Sequence, residues 1–167
     1  MKRIQAIAAV AAVVVADQLT KLWIVATYPL GTGADQIPGL FRIVHTRNRG
    51  IAFGMFGSAG PAMQSVLLVA VAAIAAFVAW QLTRTGKDGL ATLGLSLVLG
   101  GAVGNIIDRV ARGEVVDFLL FFVRVRGQEH SWPAFNVADS AISVGAACVI
   151  LAEILAQRRS KRASGPD

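Results

Sequence analysis

Two aspartates stand where a carboxylate is expensive. Asp117 interrupts the β-rich apolar run Val115-Val116-Asp117-Phe118-Leu119-Leu120-Phe121-Phe122, and Asp139 follows Phe135-Asn136-Val137-Ala138 at the head of another apolar stretch. A charge in such surroundings needs a partner, because desolvating an unpaired carboxylate is strongly unfavourable. Two carboxyl groups brought close can share one proton, so that one acts as a base on water while the other protonates or polarises a carbonyl. That is acid–base chemistry, and it requires neither a metal nor a cofactor. Asn136 and Asp139 also fit a plainer reading, a helix N-cap with an acidic residue three positions on.

More polar residues recur at helical spacing. Asp17 and Lys21 stand four apart, where opposite charges can pair on one helix face, and read first as an ion pair pinning their helix. Asn105, Asp108 and Arg109 stand at i, i+3 and i+4, with Asp108 and Arg109 expected as a pair closing the end of theirs.

The elements that must position these groups are membrane helices. Residues 4–28, 61–82, 90–110 and 137–157 are apolar runs, each close to the ~20 residues that a helix needs to cross a ~30 Å hydrocarbon core. Composition agrees: 55% of residues are hydrophobic and 16% charged, with a mean hydropathy of +0.62, whereas a soluble domain carries roughly 25% charge. The expectation is an all-α membrane protein, a single domain over 1–167, with four transmembrane helices, small extracytoplasmic β or loop elements and a basic tail at 158–167. Lys2-Arg3 before the first run could open a cleaved export signal, but the run resumes beyond Asp17 through Trp23-Ile24-Val25, which favours a retained helix. The single cysteine, Cys148, is expected to be a packing residue.

Charge orients the bundle. Lys/Arg in both termini and the 83–89 loop sit in very short flanks, where the positive-inside rule acts most strongly, so both termini are expected in the cytoplasm. Trp23 and Tyr28 then mark the outer interface. The net charge of +6 suits an anionic leaflet, and no aromatic-interleaved basic domain points to nucleic acid. Counted from the cytoplasm, Asp17 lies ~20 Å along its helix and Asn105 ~22 Å along the third. Asn136 and Asp139 open the fourth helix on the same outer side, and Asn48-Arg49-Gly50 precedes the second. Four segments converge on one layer. Gly100 and Gly104, extended by Gly94, offer a small-residue face for close helix approach there.

These residues fall into blocks that resemble bacterial lipoprotein signal peptidase, also called signal peptidase II. The blocks are Asp17-Gln18-Leu19-Thr20-Lys21, Asn48-Arg49-Gly50-Ile51-Ala52-Phe53, Gly100 through Arg109, Val115-Val116-Asp117-Phe118 and Phe135-Asn136-Val137-Ala138-Asp139, in the family's order across nearly the whole chain. The resemblance implies a four-helix aspartic endopeptidase of the inner membrane with its site toward the periplasm. It implies Asp117 and Asp139 as the catalytic pair, with Asn48, Gly50, Asn105, Asn136, Asp17, Lys21, Asp108 and Arg109 binding substrate or supporting the site. The implied substrate is a prolipoprotein signal peptide, cut before a diacylglyceryl-modified cysteine among membrane lipids. Cyclic-peptide inhibitors of the family, such as globomycin, are implied as further ligands. The polar stretch 124–130 departs from the family pattern as a loop variation, and Arg47 and Arg49 beside Asn48 have no assigned role.

Other classes fit less well. Ser58 has no base tied to it by spacing, and His45 and His130 lack further clustered ligands for zinc. A proton-coupled transporter could use Asp17, Lys21, Asp108 and Asp139, but its polar path should continue across the membrane, and the inner helix halves are almost purely Ala, Val, Leu and Gly. A non-catalytic factor gripping lipidated peptides would use the same pocket; cleavage assays separate the two.

Overall fold

The computed structural model describes residues 3–50, 60–85 and 89–163. Lys2, Ile51, Ala52, Phe53, Ser58, Lys87 and residues 164–167 lie outside the described residues. Four helices, α1 (Arg3–Thr27), α2 (Pro61–Arg84), α3 (Gly89–Arg112) and α4 (Val137–Ala163), are each long and apolar enough to cross a membrane. Their bounds lie within two residues of expectation except at the end of α4, which runs on from the expected 157 to Ala163. Arg and Lys are good helix formers, and cations are favourable at a helix C-terminus, so residues 158–163 are the last turns of α4 and not a separate tail.

Helix α3 is the centre of the bundle, with α1, α2 and α4 packed around it. Its glycines decide how close the neighbours come, and they form two rows. Gly100 and Gly104 face α1, where a Cβ on Gly100 would lie 2.8 Å from Val13 Cβ. Gly94 does not extend that row. It faces α4 together with Gly101, where a Cβ on Gly94 would lie 2.7 Å from the Gly145 carbonyl oxygen. Seven residues make two turns, so 94 and 101 share a face, whereas a six-residue step from 94 to 100 does not return to it. Half-buried Cys148 packs at this α3–α4 contact. The outer faces leave Leu19, Val66, Val69, Phe77 and Ile150 exposed, as lipid-facing surfaces require.

The segments between helices form an antiparallel sheet of four strands in the order β1 (Gly33–Ile37), β2 (Phe41–Asn48), β3 (Val115–Val125) and β4 (Gln128–Ser131). The polar stretch 124–130 is the tip of the β3–β4 hairpin, with Arg124 opposite Glu129 and Val125 opposite Gln128. Arg126 (φ 52°) and Gly127 (φ 80°) supply the two left-handed residues that the tightest hairpin turn needs. The loop variation of the sequence is thus the turn of a paired hairpin, one of the small β elements expected. Register sets Asn48 across from Val115 and Thr46 across from Asp117, so the end of β2 runs beside the start of β3.

Candidate functional site

The ends of α1 and α3, the start of α4 and the β2–β3 pair meet in one polar layer. Asn136 is the N-cap of α4. Its Oδ1 accepts from the Asp139 amide at 2.9 Å, while Asp139 Oδ2 accepts from the Asn136 amide at 3.3 Å, completing a reciprocal cap. Asp139 Oδ2 thus serves the cap, while Oδ1 accepts from Asn105 Nδ2 at 2.8 Å. Asp117 has the partners its burial demands. Asn136 Nδ2 donates to Oδ1 at 2.7 Å and Asn48 Nδ2 to Oδ2 at 3.2 Å.

Beneath these carboxylates lies a layer closed to solvent. Lys21 Nζ sits 2.8 Å from Asp17 Oδ2 and 3.0 Å from Asp108 Oδ2, and all three side chains are fully buried. Each of the two carboxylates also binds the backbone amide just before one upper aspartate: Asp17 Oδ1 accepts from Ala138 N at 3.0 Å, and Asp108 Oδ2 from Val116 N at 3.0 Å. One cation thus ties together the segments that carry Asp139 and Asp117. Lys21 also donates to Asn105 Oδ1 at 3.0 Å, and Asn136 donates to the same oxygen. An ammonium has no acceptor, so Asn105 must turn its oxygen to Lys21 and its amino group to Asp139.

The expected pairing of Asp108 with Arg109 does not form. Consecutive helical residues point about 100° apart, whereas i and i+4 meet, and Asp108 pairs with Arg112 instead. Arg109 donates to the carbonyl oxygens of Gly50 at 2.7 Å and Asn105 at 3.2 Å. The Gly50 amide in turn donates to Asn48 Oδ1 at 2.9 Å, which leaves the Asn48 amino group for Asp117. Gln18, to which sequence reasoning gave no role, bridges Asp17, Asp108 and the Gly104 carbonyl. Among the described residues, no buried side-chain nitrogen or oxygen lacks a partner.

A cavity of about 660 Å³ opens over this layer. Asn48, Asn105, Arg109, Asp117 and Asp139 line it, while Asp17, Lys21, Asp108, Asn136 and Gly50 lie behind the lining residues. Its remaining wall was not foreseen and is mostly apolar: Trp132, Pro133, Ala134, Phe135, Ile142 and Val144, with Ser140 and Ser143. Trp132-Pro133 just ahead of the Asn136 cap was the available signal, an aromatic residue and a helix-excluding one beside a polar site. Burial, and next the charge of Asp139, pushes the Asp117 carboxyl up to about 7, against the opposing hydrogen bonds of Asn48 and Asn136. His45 stays out of the cavity, with Nδ1 at the Tyr28 carbonyl and Nε2 accepting from Arg47.

Among the described residues, four helices apolar enough to cross a membrane carry a polar layer at one end, the arrangement of a polytopic membrane protein. The family model for signal peptidase II matches residues 9–155. The chain is 42% identical to the lipoprotein signal peptidase of Nitrobacter hamburgensis over 83% of its length and 84% of that protein's, and 43% identical to that of Cupriavidus necator over 88% and 81%. It is also similar to two solved structures described as bacterial membrane enzymes determined by the in meso method. The TM-scores are 0.72 and 0.69 at 30% and 32% identity, covering 91% and 90% of this chain and 88% and 92% of those. This chain belongs to the signal peptidase II family, the membrane aspartic proteases.

Proposed function

We propose that the chain removes signal peptides from prolipoproteins by cutting immediately before a diacylglyceryl-modified cysteine, with Asp117 and Asp139 as its catalytic pair. The observation that carries this reading is that both carboxylates line one cavity, each held by asparagine donors. Asp117, with its pKa raised to about 7, is the proton donor near neutral pH. Asp139, at the N-terminus of α4 and accepting from Asn105 and the Asn136 amide, is the anion.

Asp139 takes a proton from water as the water oxygen adds to the scissile carbonyl carbon, and Asp117 gives its proton to the carbonyl oxygen. The Asp139 proton then passes to the cysteine nitrogen as the C–N bond breaks. Asp117 recovers its proton from the collapsing diol, leaving a carboxyl terminus on the signal peptide and a free amine on the lipoprotein. Because Asn105 and Asn136 are turned inward onto the carboxylates, they orient the pair instead of gripping substrate.

The apolar wall from Trp132 to Phe135 and along Ile142 and Val144 suits acyl chains, whose burial contributes ~0.8 kcal/mol per CH₂. A cyclic peptide such as globomycin would occupy the same cavity. The enzyme resides in the inner membrane with both termini in the cytoplasm and the site toward the periplasm, a reading supported by its compact cationic flanks.

The test is cleavage in detergent of one precursor with and without the diacylglyceryl group, followed by mass determination. The lipidated form should be cut far faster, and Asp117→Asn and Asp139→Asn should each abolish cleavage while the protein stays folded. Equal kcat/KM for the two precursors would remove lipid recognition; turnover by either variant would remove that aspartate from the pair.

A further inference from the structure

Arg47 and Arg49 flank Asn48, and the chemistry above uses neither. Arg47 lies within β2 and Arg49 just beyond its end, and both guanidinium groups reach one carboxylate. Arg47 Nη1 donates to Glu114 Oε1 at 3.5 Å and Arg49 Nε to Oε2 at 3.1 Å. Glu114 directly precedes Val115, the cross-strand neighbour of Asn48, and stands three residues before Asp117. Arg47 is braced on its other side, where its Nε donates to His45 Nε2 at 3.0 Å. That tautomer leaves the His45 Nδ1–H as donor to the Tyr28 carbonyl, 2.7 Å away at the end of α1.

We propose that Glu114 is a positioning residue of the peptidase: by gripping the arginines on both sides of Asn48, it holds the Asn48 amino group on Asp117. The proposal rests on the assignment of Asp117 as a catalytic carboxylate. Asn48 is the last residue of β2, so among the described residues its ladder to β3 ends there. Arg49 is 63% exposed, and ion pairs of that kind add little to stability. The Arg47 pair is more buried, at 22% and 20% exposed, so loss of Glu114 lowers stability modestly through it, while its effect on activity falls on geometry at Asp117.

Asn48 favours the ionised form of Asp117, so loosening it makes Asp117 keep its proton to higher pH. The other groups acting on Asp117 are Asp139 and Lys21 through charge, Arg109 from α3, and Asn136 through its hydrogen bond. None of them touches Glu114.

The experiment measures kcat, KM, pH profile and Tm of the full chain in detergent on the lipidated precursor, for wild type, Glu114→Gln, Asn48→Ala and the double variant. Glu114→Gln should lower kcat about ten-fold with little change in KM, and move the alkaline limb of the profile up by about half a pH unit. In the Asn48→Ala background it should have no further effect, since its influence passes through Asn48. The same loss in both backgrounds, or an unmoved alkaline limb, overturns the proposal. Should Glu114→Gln fold poorly, Arg49→Gln alters only an exposed side chain and should give a smaller change of the same kind; no change there overturns it equally. Activity in Asp117→Asn would instead defeat the catalytic assignment, whereas inactive Asp117→Asn beside a Glu114→Gln that matches wild type defeats the clamp alone.

Discussion

At the scale of single residues, the site is a lesson in which atoms are committed. Of the ten polar and glycine positions singled out from sequence, five line the cavity and five hold those five. Residue types were legible because a carboxylate or lysine in an apolar helix needs a partner. Partner choice was less so: Asp108 and Arg109 are adjacent in sequence, yet Lys21, more than eighty residues away, is the cation that Asp108 shares with Asp17. Such a choice depends on which helices pack side by side. The raised pKa of Asp117 yields a prediction at this scale. In the proposed role of proton donor Asp117 would be active while protonated, so kcat/KM should fall as pH rises through about 7. It should also fall in acid, where Asp139 gains a proton and no base remains. Rates on the lipidated precursor from pH 4 to 9 check this; activity constant up to pH 9 would remove Asp117 as the donor.

At the scale of elements, what matters is how closely α3 and α4 approach. The helices themselves were legible, because hydropathy over ~20 residues is a strong signal, but their contact faces were not. Gly101 packs against α4, whereas Gly100 and Gly104 face α1. A Cβ on Gly101 would run into the Ala138 carbonyl, one residue before Asp139. Gly101→Leu should therefore force the helices apart, costing about 1–3 kcal/mol of stability and most of the activity. Ala76→Leu on the exposed face of α2 should change neither. Thermal unfolding in detergent with parallel cleavage assays distinguishes the two, and a fully active Gly101→Leu would mean that the contact does not position Asp139. The sheet was only partly legible: Pro38-Gly39 and Gly127 mark its two hairpin turns, but the β2–β3 pairing joins segments some seventy residues apart.

For the whole molecule, the polar layer sits at one end of an otherwise apolar bundle, so the orientation of the chain decides which compartment the site serves. Cysteines introduced at Gly33 and Gln128, both on the sheet, should react with an impermeant thiol reagent from the periplasmic side. One at Thr85, after α2, should react only once the cytoplasmic side is opened. The opposite pattern would invert the topology and move the site to the cytoplasm.

The division of the cavity into a committed floor and an uncommitted wall bears on drug resistance. Along the floor, the amide groups of Asn105 and Asn136 and the carboxylates they hold are fixed by one another, so replacing one member disturbs the rest of the set. The side chains of Pro133, Ala134, Ile142 and Val144 are apolar and can change shape without disturbing a proton. An inhibitor anchored on the wall leaves a bacterium many escape mutations. One that binds only the carboxylates and the Asn48 and Asn105 that line the cavity with them leaves few that spare the proposed chemistry.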